Sequence, residues 1–495
     1  MLFLGIDIGS SSVKLSVLDG ATGKSVAATQ YPKVELEIAS PQPSWAEQDP
    51  ETWWHCINKG CAELFNDGRV NAKQIAAVGI TYQMHGLVLV DNNLKVLRPA
   101  IIWCDSRAVA IGDTALEALG SSYCFDQLLN SPGNFTAAKL RWVQENEPHI
   151  YARIHKLMLP GDYIALKLSG ETSTTAGGLS EGIFWDFKQA TPANRLLEHW
   201  QIDSDLLPKL VPAIGRQVTV SEAAARDLGI PSGIPISYRC GDQPNNAFSL
   251  NVLEPGEVAA NAGTSGVIYG VTDKPLADKQ SRINTFLHVT DTAKAPRNGM
   301  LVCVNGTGRA YSWLRQILSA NQAPVDYALL NELAAKTPVG SDGLKVIPFG
   351  NGAERIFNNR NLGAHIRNID LNRHSVGHIV RATQEGIVFA LNSGFEVLKN
   401  LGGNCKVVRA GRSNMFLSPI FTEAFANTTG TVIELYNTDG AEGAARGAAL
   451  GCGFFSSPKE AFQGLTCVER IEPSAKLTDV YQTAYQNWCR ELPQV

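Results

Sequence analysis

The feature that most constrains the fold is a thirteen-residue pattern that occurs near the start of each half of the chain. Residues 7–19 read DIGSSSVKLSVLD, and residues 261–273 read NAGTSGVIYGVTD. Five residues of the first copy recur at matching positions in the second: Gly9, Ser11, Val13, Val17 and Asp19 correspond to Gly263, Ser265, Val267, Val271 and Asp273. Each copy predicts two short strands joined by a tight turn of small residues. The repetition therefore predicts a duplicated fold.

The turn between the two strands has a composition suited to phosphate. Glycine, serine and threonine leave backbone N–H groups and small hydroxyls accessible, and such groups bind phosphate oxygens. A single turn of this kind is usually only a hairpin connection. Two copies indicate a polyphosphate held between the two halves of the chain. They are here called the first phosphate turn, Gly9-Ser10-Ser11, and the second phosphate turn, Gly263-Thr264-Ser265-Gly266. Only the first copy has an acid, Asp7, at the end of its strand, so we expect a metal ion on that side.

Length and charge limit the class of protein. The 495 residues are enough for two large domains, and we place the boundary between about 245 and 256, giving domains 1–248 and 249–495. Hydrophobic residues make up 44% and charged residues 18%, which permits a sizeable core. The net charge of −4, without a basic block, makes nucleic acid and anionic membranes poor candidates for partners.

Targeting signals and cysteines bear on the cellular location. The opening MLFLGIDIG has no basic region before its apolar residues and is interpreted as a strand rather than a signal peptide. Uninterrupted apolar runs are too short for a membrane span. Ten cysteines without C-x-x-C pairs are typical of reduced core residues, so we predict a cytoplasmic protein without structural zinc.

The remaining segments predict an α/β fold. Residues 2–8, 12–19 and 24–30 form a predicted antiparallel meander, and residues 75–81 a buried strand. Residues 51–66 and 137–148 predict helices. Residues 439–453 predict a small-residue helix that another element or a ligand approaches closely. A duplicated meander with helices and a nucleotide in the central cleft describes two ribonuclease H-like domains of the actin and hexokinase superfamily.

Two acids stand at predicted strand ends. Asp7 follows an apolar strand and precedes a phosphate turn, where a carboxylate can hold Mg²⁺, usually through water. Asp242 follows a predicted strand and precedes a predicted helix. Transfer of a phosphoryl group to an alcohol needs a carboxylate that accepts the hydroxyl proton, and Asp242 is the candidate. Each acid could instead cap its own turn or helix.

Two polar clusters have the composition of a sugar site. Gln83, Met84 and His85 follow the strand at 75–81, where α/β folds place ligand contacts. Trp103 and Asp105 follow another apolar pair and add an aromatic surface and a charge. Each of these residues taken singly could be structural.

The order of these motifs resembles that of the FGGY carbohydrate kinases, over about residues 3–455. The residues that carry the resemblance are Asp7-Ile8-Gly9-Ser10-Ser11, Trp45-Ala46-Glu47-Gln48-Asp49-Pro50, Gln83-Met84-His85-Gly86, Trp103-Cys104-Asp105-Ser106-Arg107, Lys139-Leu140-Arg141-Trp142-Val143, Leu159-Pro160-Gly161-Asp162-Tyr163, Gly241-Asp242 and Gly263-Thr264-Ser265-Gly266. Within that family the Gln-Met-His-Gly cluster is most similar to the xylulokinases. The resemblance implies phosphorylation of a ketose, D-xylulose first, with ATP and Mg²⁺ as cofactors.

The resemblance also implies roles for individual residues. Asp242 is the expected base, and Asp7 and Asp242 are the expected metal-side acids. The expected sugar contacts are Gln83, Met84, His85, Trp103, Asp105 and Gln243. The expected nucleotide contacts are Gly9, Ser10, Ser11, Lys14, Gly263, Thr264, Gly308, Gly411 and Asn414. A small-molecule sugar is the expected partner, and homodimer formation is left open.

One residue departs from the xylulokinase pattern, so other substrates stay possible. Gln243 stands where the xylulokinase pattern has Asn, which leaves ribulose, sedoheptulose or gluconate as alternative substrates. A non-catalytic sugar- or nucleotide-binding regulator on the same fold is a second alternative, although retention of Asp7, Asp242 and both turns argues against it. An actin-like or chaperone ATPase is the third, and it would not need the two polar clusters.

Overall fold

The computed structural model of the protein describes residues 1–66, 68–320, 323–402 and 405–492. The strands of the first half are β1 (Leu2–Ile8), β2 (Val13–Asp19), β3 (Lys24–Tyr31), β4 (Glu47–Gln48), β5 (Ile75–Tyr82), β6 (Val88–Val90), β7 (Ala100–Ile101), β8 (Lys156–Met158), β9 (Ser173–Thr175), β10 (Trp185–Asp186), β11 (Thr191–Pro192), β12 (Lys209–Val211), β13 (Ile214–Thr219) and β14 (Pro235–Gly241). Its helices are α1 (Pro50–Asn66), α2 (Val109–Leu119), α3 (Ser121–Asp126), α4 (Thr136–Asn146), α5 (Pro148–Tyr151), α6 (Pro160–Ser169), α7 (Ala176–Glu181), α8 (Asn194–Trp200), α9 (Glu222–Leu228) and α10 (Asp242–Ser249).

The second half is also built of both strands and helices. Its strands are β15 (Val258–Ala262), β16 (Gly266–Thr272), β17 (Asn284–Leu287), β18 (Asn298–Val304), β19 (Lys345–Phe349), β20 (Gly363–Arg367), β21 (Val407–Gly411), β22 (Val432–Tyr436) and β23 (Cys467–Ile471). Its helices are α11 (Gly308–Leu318), α12 (Tyr327–Ala335), α13 (Val376–Asn400), α14 (Pro419–Thr429), α15 (Gly440–Gly451), α16 (Pro458–Ala461) and α17 (Ala475–Cys489). None of the helices in the described ranges is both long and apolar enough to cross a bilayer.

The two main sheets are built on one plan. The first has the strand order β13-β14-β5-β1-β2-β3, and the second has the order β17-β18-β16-β15-β21-β22-β23. In the first sheet β1, β2 and β3 pair antiparallel, whereas β5 and β14 run parallel to β1. In the second sheet β15, β16 and β18 pair antiparallel, whereas β21 and β22 run parallel to β15. This order confirms the prediction of two ribonuclease H-like domains.

The local predictions also hold. The meander predicted at 2–8, 12–19 and 24–30 forms β1, β2 and β3, and the buried run at 75–81 forms β5. The predicted helix at 51–66 is α1. The helix predicted at 137–148 ends at Asn146, and a separate short helix begins at Pro148 because proline suits the first position of a helix but not its interior.

Helix α15 belongs to the second half of the chain but packs on the first sheet. A Cβ atom at Gly5 of β1 would lie 1.8 Å from the carbonyl oxygen of Ala441, and one at Gly79 of β5 would lie 2.0 Å from that of Ala444. Only glycine fits at these two contacts, so the helix and the two strands approach backbone to backbone. The predicted close approach to residues 439–453 is therefore confirmed. It places the N-terminus of α15 beside the end of β1, where Asp7 lies.

Candidate active site

Both acids of the sequence prediction lie at the carboxyl ends of parallel strands. Asp7 is near the end of β1, opposite Lys14 of β2. Asp242 begins α10 directly after β14, and β5 separates β14 from β1 in the sheet. Because parallel strands end at one edge of a sheet, the two half-buried carboxylates face the same cavity.

That cavity, of about 260 Å³, is here named the carboxylate cavity. Its lining brings together predicted residues from both halves of the chain: Asp7, Gly9, Ser11, Lys14, Asp242, Gln243, Gly411 and Asn414. An adjoining cavity of about 710 Å³, the larger cavity, is lined by Gly263, Thr264, Gly308 and, again, Asn414. The two cavities therefore meet at Asn414, and together they contain parts of both phosphate turns.

Helix α11 docks on the second phosphate turn. Gly308 donates its backbone N–H to the carbonyl of Gly263 at 2.9 Å, and Arg309 donates to the carbonyl of Thr264 at 3.1 Å. A Cβ atom at Gly308 would lie 2.3 Å from the Gly263 oxygen, so a larger residue there would push the helix off the turn. In the first turn, Gly9 donates to the carbonyl of Ser12 at 3.0 Å.

The pKa values of both acids in the carboxylate cavity are raised above those of ordinary carboxyl groups. Burial raises the pKa of Asp7 to about 6; Lys14 opposes this rise and the charge of Asp439 adds to it. Burial, followed by the charge of Asp7, raises the pKa of Asp242 to about 7, while hydrogen bonding by Gln243 opposes the rise. A bound cation or a nearby basic group would favour the charged forms. A carboxyl group with a pKa near neutrality is suited to accept a proton during catalysis.

His85 has a fixed tautomer and belongs to the predicted sugar contacts here called the sugar cluster: Gln83, Met84, His85 and Trp103. The imidazole Nδ1 lies 2.9 Å from the carbonyl oxygen of Glu181. Since a carbonyl can only accept, Nδ1 carries the proton and Nε2 is left as an acceptor. Burial, aided by the charge of Lys139, lowers the pKa of His85 to about 3, so the ring is neutral. The ring also packs edge-on against Phe135, with ring centroids 4.9 Å apart.

Three other predicted sugar contacts differ in their burial and in their neighbours: Gln83, Met84 and Trp103. Gln83 is buried and donates to the side-chain oxygen of Gln48 at 3.2 Å. Met84 is buried against Gly241, the residue before the predicted base. Trp103 is 44% exposed and donates its indole N–H to the hydroxyl of Ser10 at 3.3 Å, which connects the sugar cluster to the first phosphate turn.

Asp105 lines neither of the two cavities, and the same is true of Gln83, Met84, His85 and Trp103. It is completely buried, pairs with Arg107 at 2.7 Å and accepts the backbone N–H of Ala46 at 2.7 Å. Both carboxylate oxygens are therefore engaged within the protein. The structure thus places Asp105 as a support for the Trp103 segment rather than on a cavity wall.

Several neighbours of the site were not predicted from the sequence. Glu181 is buried, and its Oε1 accepts the backbone N–H of His85 at 3.4 Å. Burial and the charge of Asp242 raise its pKa well above the usual range. Gly440 lies against Asp7, since a Cβ atom there would be 2.5 Å from Asp7 Oδ2. The Asp439-Gly440 pair before a small-residue helix could have indicated this contact, whereas Glu181 has no local signal.

Comparison with known proteins decides the family. The model of the FGGY family of carbohydrate kinases, N-terminal domain, matches residues 2–249, and that of the C-terminal domain matches residues 258–454. The chain belongs to the FGGY family of carbohydrate kinases. Its fold is therefore that of the two-domain FGGY kinases, and the protein is a sugar kinase.

Individual FGGY kinases resemble the chain along its whole length. The xylulose kinase of Escherichia coli (strain K12) is 27% identical, and the match covers 100% of this chain and 99% of that protein. The crystal structure of xylulose kinase from Rhodospirillum rubrum has a TM-score of 0.87 at 25% identity, covering 99% of this chain and 98% of that one. The crystal structure of gluconate kinase from Lactobacillus acidophilus has a TM-score of 0.88 at 22% identity, covering 99% and 97%. The fold alone therefore does not select the sugar.

Proposed function

We propose that the protein transfers the γ-phosphoryl group of ATP to the terminal 5-hydroxyl of D-xylulose. The observation that carries the proposal is the carboxylate cavity, where Asp7 and Asp242 meet residues of the first phosphate turn and of the second half of the chain. The xylulose kinase of Escherichia coli, which is similar over the whole chain, supports the choice of sugar.

In the proposed reaction Asp242 accepts the proton of the sugar hydroxyl as its oxygen attacks the γ-phosphorus. The bond from the γ-phosphorus to the bridging oxygen breaks, and ADP leaves with the electron pair. The N–H groups of the two turns stabilise charge on the transferring phosphoryl group. Neutral His85 holds the sugar through Nε2, which accepts a hydrogen bond from a hydroxyl. The second half binds ATP in the larger cavity, beside Gly263, Thr264, Gly308 and Asn414.

Magnesium fits the donor set of the carboxylate cavity. Asp7 and Asp242 supply hard oxygen ligands, and the described residues contain no group of three or more His, Cys, Asp or Glu able to hold a metal. Mg²⁺ commonly binds one or two carboxylates together with water and substrate phosphates, so two acids are sufficient. Bound there, Mg²⁺ would neutralise negative charge on the phosphates.

The scattered free cysteines support a cytoplasmic location.

A specific observation favours a second candidate, a kinase for another ketose or for gluconate. The side chain of Gln243 lines the carboxylate cavity next to Asp242, and its buried Oε1 has no hydrogen-bond partner among the described residues. A hydroxyl of the substrate would satisfy this oxygen. Sugars that differ in their hydroxyl configuration would differ in that contact.

The test is a substrate panel. Release of ADP is measured with ATP and Mg²⁺ and, in turn, D-xylulose, D-ribulose, sedoheptulose, gluconate and glycerol. We expect the highest kcat/KM with D-xylulose. A higher kcat/KM with another carbohydrate would transfer the proposal to that substrate, and ADP release at one rate regardless of the sugar would refute a sugar kinase.

A further inference from the structure

Arg355 of the second half reaches the sugar cluster of the first half. It begins a short 3₁₀ turn, Arg355–Phe357, and its guanidinium carbon lies 5.6 Å from the ring centroid of Phe135. Phe135 in turn packs on His85, whose ring is also 5.3 Å from that of Phe286. The guanidinium therefore lies at the aromatic wall beside the imidazole that we expect to hold the sugar.

The charge of Arg355 has no counter-charge in contact with it among the described residues. Within the described part of the chain no carboxylate forms an ion pair with its guanidinium, and the group is half-buried. Burial lowers the pKa of Arg355, while its charge helps to lower the pKa of His85. A half-buried guanidinium has five N–H donors and loses hydration, so it needs acceptors from elsewhere.

The neighbouring residue fixes Arg355 to the nucleotide side. Glu354 is completely buried, and its two carboxylate oxygens accept the backbone N–H of Asn305 at 3.1 and 3.0 Å. Asn305 also donates its side-chain amide to the carbonyl of Ala353 at 2.6 Å. Three residues after Asn305, the N–H of Gly308 holds the second phosphate turn. These hydrogen bonds thus connect the second phosphate turn to the segment that carries Arg355.

We propose that Arg355 is a sugar-binding and positioning residue that the second domain contributes to the sugar site of the first. Its guanidinium donates hydrogen bonds to hydroxyl or carbonyl oxygens of a carbohydrate held beside His85 and Phe135. The sugar then contacts both halves of the chain, and its binding favours the arrangement in which the second phosphate turn faces Asp242. The inference rests on the proposed function only in that the ligand is a carbohydrate.

The experiment compares Arg355→Met with a matched control, Arg367→Met. Arg367 is an exposed arginine on β20 of the same half, whereas Arg355 is half-buried beside Phe135. Sugar KM and kcat, ATP affinity and the rate of ADP release without sugar are measured for each variant. We expect a roughly 10- to 100-fold rise in sugar KM for Arg355→Met, the effect of losing a charge-assisted hydrogen bond. ATP affinity and sugar-independent ADP release should equal those of Arg367→Met.

Arg355→Lys should recover part of the loss, because an ammonium donates hydrogen bonds but lacks the planar fork. Sugar kinetics of Arg355→Met within twofold of the control would overturn the proposal, as would an equal loss of ATP affinity. Calorimetry, which measures sugar binding without turnover, separates failure of the Arg355 proposal from failure of the proposed function. A wild-type protein that binds but does not phosphorylate D-xylulose, while Arg355→Met binds it more weakly, would refute the proposed phosphorylation of D-xylulose and support Arg355. A wild-type protein that binds none of the panel carbohydrates would contradict both.

Discussion

The two halves of the molecule share a frame but differ in the charges they place on it. At the end of its first strand, the first half has Asp7 and the second has Asn261, and both line the carboxylate cavity. After its last parallel strand, the first half starts a helix with Asp242, and the second caps the equivalent helix α15 with Asp439. The comparison teaches that one backbone frame carries different charges in the two halves. We expect both turns to bind phosphate, and only Asp242 of the first half to accept the proton.

The largest expected effect is the loss of activity on replacing Asp242, compared with Asp439 at the start of the equivalent helix. Asp242→Asn should lower sugar-dependent kcat by about 10²–10⁴-fold, the usual cost of losing a general base, with sugar binding largely intact. Asp439→Asn, at the equivalent place in the second half, should cost far less. The measurement is steady-state ADP release with D-xylulose. Equal losses in the two variants would remove the proposed difference between the halves.

The two strand-end residues give the next comparison. Asp7→Ala should weaken the use of Mg²⁺-ATP by roughly tenfold or more while leaving sugar binding unchanged, because a hard oxygen ligand beside the first turn is lost. Asn261→Ala is the matched change in the second half. Titrations of activity against Mg²⁺ should shift for Asp7→Ala only. If neither titration shifts, Asp7 merely caps its turn.

A third prediction concerns His85 in the expected sugar cluster of the first half. His85→Ala should raise the sugar KM by about three- to tenfold, since one neutral hydrogen bond contributes roughly 0.5–1.5 kcal/mol. The affinity for ATP should stay the same. Unchanged sugar kinetics would place His85 in the core, as a partner of Phe135 and Glu181.

The raised pKa of Asp242 also predicts how stability depends on pH. Between the usual carboxyl pKa of 3.8 and about 7, the folded state binds this proton more tightly than the unfolded state, so the free energy of unfolding falls as the pH rises. Without metal or nucleotide, Asp242→Asn should therefore melt about 2–4 °C above wild type at pH 8 and near it at pH 4. The exposed Asp273→Asn serves as the control. An equal Tm of wild type and Asp242→Asn at pH 8 would contradict the raised pKa.

The smallest expected effect sharpens the choice of sugar. Gln243→Asn restores the shorter amide of the xylulokinase pattern, and an ångström of displacement near the reacting hydroxyl can change the rate. If D-xylulose is the native substrate of an adapted site, its kcat/KM should fall by a few-fold. If the preference has moved, kcat/KM for D-xylulose should rise relative to the better ketose. A constant ratio across the ketose panel would show that Gln243 does not distinguish these sugars.

Local patterns were sufficient to predict the meanders, the tight turn between the first two strands of each half, and the two acids at strand ends. Parallel strands place their carboxyl ends at one edge, so Asp7 and Asp242 could be expected to lie close together. The sequence could not show that α15 crosses to the first sheet, because the contacts of Gly5 and Gly79 join distant segments. Arg355 reaches Phe135 in the same long-range way. Asp105 is a residue type that often binds sugars, but the sequence does not show that its carboxylate is already engaged by Arg107 and Ala46.

The central claim is that the first half directs the phosphoryl group to a sugar hydroxyl rather than to water. The most direct measurement follows ATP, D-xylulose and Mg²⁺ with the wild-type protein by phosphorus NMR and identifies the phosphorylated oxygen. We predict one D-xylulose 5-phosphate for each ADP formed, and almost no free phosphate. Free phosphate formed at the same rate with and without sugar would contradict the account.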